Sequence, residues 1–268
     1  MKRRSLLLVS MVAFGYALLY VPIMSVVIYS FNDSRLVTLW GGFSTRWYAS
    51  LLTNEELLEA AFLSLRVAVV SATFATALGA LVALALRRVP RLRGRLLLSS
   101  MVTAPLVMPE IITGLSLLFL FISMANIIGW PTARGATTIT IAHITFSMAY
   151  VVIVVRSRLA AMDESLEEAA MDLGGRPVAV FFDITVPMLL PALVSGWLLA
   201  FTLSLDDLVI SSFVSGPGAT TLPMLIFAKV RLGVTPDINA ITTIIIALVI
   251  VSVATASVIS SRRRPVAA

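Results

Sequence analysis

Three carboxylates and a histidine sit inside long apolar runs of this 268-residue chain, and their types set what chemistry is open to it. Asp206 and Asp207 are consecutive carboxylates in SLDDLVISSF, Glu110 follows two prolines in TAPLVMPEIITG, and His143 is the only histidine. A carboxylate at membrane depth is costly, so such groups face a bundle interior or a water-filled path. There they offset the desolvation of a cation by Coulomb attraction at low effective dielectric. At about 100° per residue, Asp207 shares a helical stripe with Ser204, Ser211 and Ser215, whereas Asp206 falls opposite, near Thr202 and Ser195. A straight helix therefore points Asp207 at a central path and Asp206 toward other helices or the outer boundary. The plainer alternative leaves both solvated at the outer interface. Glu110 reads either as path-lining or as a charge stabilising the N-terminus of the half-helix after Pro109. Adjacent carboxylates on one helix do not form an acid–base dyad. His143 has no second His and no Cys to complete a metal site, and reads as a packing residue without chemistry. No catalytic residue and no metal ligand is predicted.

A second constellation is polar and lies between two apolar runs: EAAMDLGGRPVAVFFDITVP, residues 168–187. Asp163, Glu164, Glu167 and Glu168 load the first turns of a helix, where the macrodipole favours negative charge. Ala169 and Ala170 are small and favour helix. Gly174 and Gly175 can end it with a residue at positive φ. Pro177 suits the first turn of a second helix. The pattern predicts helix–glycine turn–helix.

The elements that must position these groups are membrane helices. The chain is 59% hydrophobic and 13% charged, against about 25% charged in a soluble domain. Lipid must therefore be the solvent for most of its surface. With no Cys there is neither a disulfide framework nor a thiolate metal site. Six spans are predicted, at about 5–30, 60–86, 96–123, 138–155, 187–215 and 238–261, each with roughly 18 or more mostly apolar residues. The first reads as an uncleaved helix, since its apolar run exceeds the usual signal-peptide core. The polar loop then covers about 157–186, and residues 1–268 form a single transmembrane domain. With the N-terminus inside, fourteen of the 20 basic residues fall on one face, among them Arg87, Arg88, Arg91, Arg156, Arg158, Arg176, Arg263 and Arg264. Positive-inside topology puts both termini and the polar loop in the cytoplasm. The net charge of +6 follows from this clustering beside apolar runs and does not indicate a nucleic-acid partner.

Trp40, Trp47 and Tyr48 suit a membrane–water boundary, Ser44 can cap a short interfacial helix, and Thr53 with Glu56 fits a capping box opening the second span. Pro105 and Pro109 each remove a backbone donor and kink the third span. Gly216, Pro217 and Gly218 end the fifth, and the stretch to Asp237 reads as an outside interfacial piece. No internal repeat is found, so a chain of six spans looks like one half of a dimeric transporter.

Residues Glu168 to Pro187, with Gly174 and Ile184 at matching spacing and Val186 where Leu is usual, resemble the EAA loop of ABC importer permeases. SRLVTLW with STRWY, TAPLVMPEIITGLSLL and SGWLLAFTLSLDDLVISSFVSGPGATTLPM resemble the polyamine branch of that family, nearest to putrescine importer permeases. The resemblance implies an all-α type I ABC importer permease (MetI-like) architecture with cytoplasmic EAA coupling helices. It implies that Glu167, Glu168, Ala169, Ala170, Asp172, Gly174, Ile184 and Pro187 belong to the contact with a separate ATPase. A substrate path would carry Asp207, Asp206, Glu110, Ser204 and Ser211. Implied partners are a second homologous permease, two ATPase subunits and a periplasmic polyamine-binding protein in the bacterial inner membrane. This chain would bind no cofactor, ATP and Mg residing on the ATPase; it lacks the GxxxxGK[ST] loop that cradles phosphates. Other substrates compatible with the family are another cation, an amino acid or an iron chelate. An intramembrane enzyme, a channel or a secondary transporter gives no reason for the helix–glycine–helix loop.

Overall fold

In the computed structural model the described residues are 2–36, 39–89, 93–163, 165–232 and 236–262, and they are almost entirely helical. Glu164, Arg91, Arg263 and Arg264 lie outside them. The helices are α1 (Lys2–Tyr29), α2 (Arg46–Leu51), α3 (Glu55–Arg88), α4 (Arg95–Val107), α5 (Glu110–Ile128), α6 (Ala136–Ala160), α7 (Ser165–Asp172), α8 (Pro177–Val180), α9 (Val186–Leu205), α10 (Val209–Val214), α11 (Leu222–Leu232) and α12 (Pro236–Arg262). A π-helical turn, Phe181–Thr185, joins α8 to α9. Among the described residues, five helices are long and apolar enough to cross a membrane: Leu8–Tyr29, Glu55–Arg88, Glu110–Ile128, Ala136–Ala160 and Pro177–Leu205.

The chain divides into two compact units, Met1–Leu58 with Ile226–Ala268, and Glu59–Leu225. In the first, α1 and α2 each pack on α12. The apolar side chains described on α1 are mostly exposed, as expected of a helix solvated by lipid. The segment after α1 is tied together by Asn32, which is fully buried. Its Nδ2 donates to the Leu39 carbonyl at 2.7 Å, its Oδ1 accepts from the Gly41 amide at 2.8 Å, and its own carbonyl accepts from Trp47 Nε1 at 2.7 Å. Phe31 lies against both Phe43 and Tyr48. Ser44 Oγ accepts from the Arg46 amide at the start of α2, the predicted interfacial helix. The second capping prediction needs correction. Asn54, not Thr53, caps α3 by accepting from the Leu57 amide at 3.1 Å, while Thr53 donates to the Ser50 carbonyl.

In the second unit α6 is the most enclosed helix, and it packs on α9, α10, α4 and α5. Close approach is allowed by small residues: a Cβ at Gly79 would come within 2.8 Å of Val151, and one at Gly196 within 3.3 Å. One buried cluster gathers Ala75, Ala83, Val151, Val155 and Leu189; another gathers Leu117, Phe121, Ile139, Phe146 and Ile210. The predicted third span is interrupted. Met108 is extended (φ −76°, ψ 136°), the conformation that a following proline imposes, and α5 starts afresh at Glu110. Pro105, by contrast, is accommodated within α4.

Candidate functional site

Two regions of the second unit carry the predicted functional residues. The first is the hairpin α7–α8. Asp163 accepts from the Ser165 amide at 3.0 Å, which opens α7 and holds this exposed carboxyl below the usual carboxylate range. Glu167 and Glu168 fall in the first turn, as their charge favours. The helix ends in a Schellman turn: the Gly175 amide donates to the Ala170 carbonyl at 3.0 Å and the Gly174 amide to the Met171 carbonyl at 2.9 Å. Gly174 has φ +89°, the positive value anticipated. Gly175 is required for a different reason. A Cβ there would stand 2.7 Å from the Ala170 carbonyl oxygen and 2.9 Å from Val180. Pro177 opens α8 at its first turn.

Beyond α8 the chain does not restart as a separate span at residue 187. It runs on as one helical rod from Pro177 to Leu205. The π turn is its one irregularity, with the Val186 amide donating to the Phe181 carbonyl. Pro187 has no N–H to donate back into that turn, which removes one of the bonds that would have kept it α-helical. Ile184 is half-buried in the π turn, and Pro187 is exposed.

The exposed surface of the hairpin mixes charged residues, Glu168, Asp172 and Arg176, with large apolar ones. Leu173 is 90% exposed, and Val178 and Phe182 are 69% and 62% exposed. On the inward side, Glu167 Oε2 accepts from Arg88 Nη2 at 2.8 Å and Oε1 accepts from Thr185 Oγ1 at 2.7 Å. Arg87 donates to the Leu159 and Met162 carbonyls, fastening the end of α3 to the end of α6.

The second region is the junction of α9 and α10. The sequence predicted one straight helix through residues 206 and 207. Instead α9 stops at Leu205, and α10 begins at Val209. Asp207 causes the restart: it accepts from the Ile210 amide at 3.2 Å and the Ser211 amide at 2.7 Å. Its side chain is only 6% exposed, and Asp206 is exposed. The straight-helix phase, which pointed Asp207 at a central path and Asp206 toward other helices or the outer boundary, does not survive the break: Asp207 is enclosed within this chain and Asp206 is exposed.

The stripe itself is real. Ser204, Asp207 and Ser211 converge on His143 of α6. Ser204 Oγ lies 2.6 Å from His143 Nδ1, and Nε2 lies 3.1 Å from Asp207 and 3.0 Å from Ser211. Ser71 of α3 completes the line, donating to Ser204 at 3.0 Å. A carboxylate only accepts, so in the neutral ring Nε2–H donates to Asp207 and Nδ1 accepts from Ser204. The polar atoms thus satisfy one another inside the bundle. His143 is a satisfied packing residue, and its partners were the part invisible in the sequence. Glu110 is exposed in the first turn of α5, and Gly114, one turn on, lets α10 approach: a Cβ there would meet Phe213 at 2.7 Å. Gly216 lies under the Arg134 carbonyl, where a Cβ would stand 2.2 Å away, and Gly218 turns at φ +76°.

Known proteins with similar sequences point one way. The chain is 59% identical over 235 residues to the putrescine transport system permease protein PotI of Escherichia coli (strain K12), covering 88% of this chain and 84% of that one. It is 42% identical over 245 residues to the spermidine/putrescine transport system permease protein PotC of the same strain, covering 91% and 90%. In fold it matches a chain from the crystal structure of a bacterial ABC transporter involved in alginate import, with a TM-score of 0.69, 18% identity and 97% of each chain covered. The family model for binding-protein-dependent transport system inner membrane components matches residues 75–264, a stretch that holds both the Gly174 hairpin and the Asp207 junction. The chain belongs to that family of inner-membrane transport components.

Proposed function

We propose that this chain is one permease half of an ATP-driven polyamine importer, passing putrescine or spermidine across the inner membrane from a periplasmic binding protein. As a member of its family it is a translocation subunit and not an enzyme. The substrate assignment rests above all on the 59% identity to a putrescine permease along most of the chain. The site chemistry is compatible. Asp206 and Glu110 are exposed carboxylates at helix interruptions, placed to face a path shared with a second permease. Asp207, Ser204 and Ser211 contribute by holding the break that presents Asp206. Exposed carboxylates offset the desolvation of a di- or polyamine, and attraction must stay weak enough for release.

The hairpin α7–α8 is the docking element for the ATPase, where ATP and Mg reside. Its exposed Leu173, Val178 and Phe182 make an apolar knob flanked by Glu168 and Asp172, which suits a cleft on a soluble partner. Residues 1–268 act as a single six-span permease domain with both termini cytoplasmic. The test is uptake of labelled putrescine, spermidine and lysine into proteoliposomes holding this chain, its second permease, its ATPase and its binding protein. ATP-dependent putrescine or spermidine accumulation is expected. Accumulation of lysine alone would remove the polyamine reading, and uptake without the ATPase would remove the importer reading.

A further inference from the structure

The helix α7 buries none of its described side chains, so packing does not fix where it stands against the rest of the chain. One side chain does that instead. Both oxygens of the Glu167 carboxylate are engaged, Oε2 by Arg88 at the end of α3 and Oε1 by Thr185 in the π turn. Thr185 is fully buried, so its hydroxyl needs this acceptor. Arg88 is held from a second side, with its guanidinium 5.5 Å from the Phe181 ring centre. Phe181 and Thr185 are the first and last residues of the same π turn. Three elements, α3, α7 and the root of α9, therefore meet at one carboxylate.

We propose that Glu167 is a positioning residue for coupling, a strut that carries displacement of the docking hairpin into α3 and α9 at once. Thr185 is buried, Glu167 is half-buried with both carboxylate oxygens taken up inside this chain, and Arg88 is partly exposed at the end of α3, so the strut acts inside this chain and the exposed Glu168 is the acid left to face a partner. A hairpin without the strut still presents its knob, but it turns on its glycine turn without moving the spans. The inference rests on the docking assignment above, and the readouts separate the two.

The experiment uses the assembled importer in proteoliposomes. It measures ATPase co-purification, ATP hydrolysis stimulated by the binding protein, and polyamine taken up per ATP. Arg88→Glu, which lies outside the docking hairpin, should keep the ATPase bound and hydrolysing; Glu167→Arg is used to complete the swap with it. Uptake per ATP should fall by roughly fivefold or more, the scale of a typical coupling between sites. The double swap should restore at least about half of it, since interacting pairs are non-additive. The chain has no Cys, so spin labels at Ser157→Cys and Leu173→Cys report the hairpin directly. Their distance distribution should broaden in Arg88→Ala and in Thr185→Val. An unchanged uptake ratio in the single variants, no recovery in the swap, or an unchanged label distribution overturns the strut. Loss of ATPase binding in Arg88→Glu also overturns it, by making Arg88 part of the docking surface. If the wild-type chain itself fails to hold the ATPase, the docking assignment fails instead.

Discussion

The hairpin at Gly174 and the junction at Asp207 are both places where a helix stops and another begins, yet they are built from opposite materials. At Gly174 the break is exposed. Backbone groups close it through the Schellman turn, and the side chains around it are released outward: Leu173, Val178, Phe182. At Asp207 the break is buried, where backbone amides have no water to turn to. It is closed by a side chain, and that side chain is held by His143, whose other nitrogen meets Ser204, which meets Ser71. An exposed interruption needs only a residue that tolerates positive φ. A buried one needs a complete set of partners, because each unpaired polar group there costs about 1–3 kcal/mol.

This contrast predicts which changes break the molecule and which break only its work. Asp207→Ala should have the largest effect. It strips two buried amides and His143 of their acceptor, and each donor left unpaired in this way costs about 1–3 kcal/mol. Lower thermal stability in detergent and a collapsed yield are expected, and a stable, well-folded Asp207→Ala would refute the account of the junction. His143→Leu should fall short of it, because the α10 amides keep their acceptor. Gly174→Val comes next. A left-handed conformation costs a β-branched residue roughly 1–2 kcal/mol, which is locally disruptive but survivable. Insertion should persist while uptake and binding-protein-stimulated ATP hydrolysis drop; wild-type uptake would show that the turn does not set the docking geometry. Asp206→Asn should leave stability alone, because the side chain is exposed. Polyamine uptake should fall by up to about tenfold, equivalent to about 1.4 kcal/mol of lost attraction. If Asp206→Asn transports normally and Glu110→Gln does not, the path charge lies on α5. The smallest effect belongs to Asn54→Ala, about 1 kcal/mol of stability from the lost cap of α3, read as a lowered melting temperature with unchanged uptake.

The same contrast explains what could be read in advance. The hairpin was legible because its determinants are local: acids, then alanines, then a glycine four residues past Ala170, then Pro177. Five apolar spans found among the described residues were legible in place and rough length because apolar runs are local too. The break after Met108 followed from one residue, Pro109, although its sharpness did not. The junction at 206–208 was misjudged because Leu205 to Ser211 contains no glycine and no proline, and its one local signal, Asp207 as a cap on the amides of Ile210 and Ser211, was taken for a path-lining charge. The partner that holds Asp207 there, His143, lies more than sixty residues earlier in the chain. The serine stripe was visible, but its destination was not. Asn54 was passed over for Thr53 because both are good caps, and only the geometry at Leu57 separates them. The inward role of Glu167 was hidden for the same reason, since Arg88 and Thr185 are remote from it in opposite directions.

The π turn at Phe181–Thr185 has a consequence for azimuth. Such a turn amounts to one residue more than an α-helix would use, and one residue is about 100° of rotation about the helix axis. Everything N-terminal to it on the rod, including α8 and the knob residue Val178, is thus dialled round by that angle relative to α9. A shortening by one residue within this turn would leave the composition, the charges and the glycine motif in place. It would nonetheless turn the hairpin to a different compass bearing about α9, so under the proposed docking role the length of this turn would set partner geometry as much as any side chain on the knob.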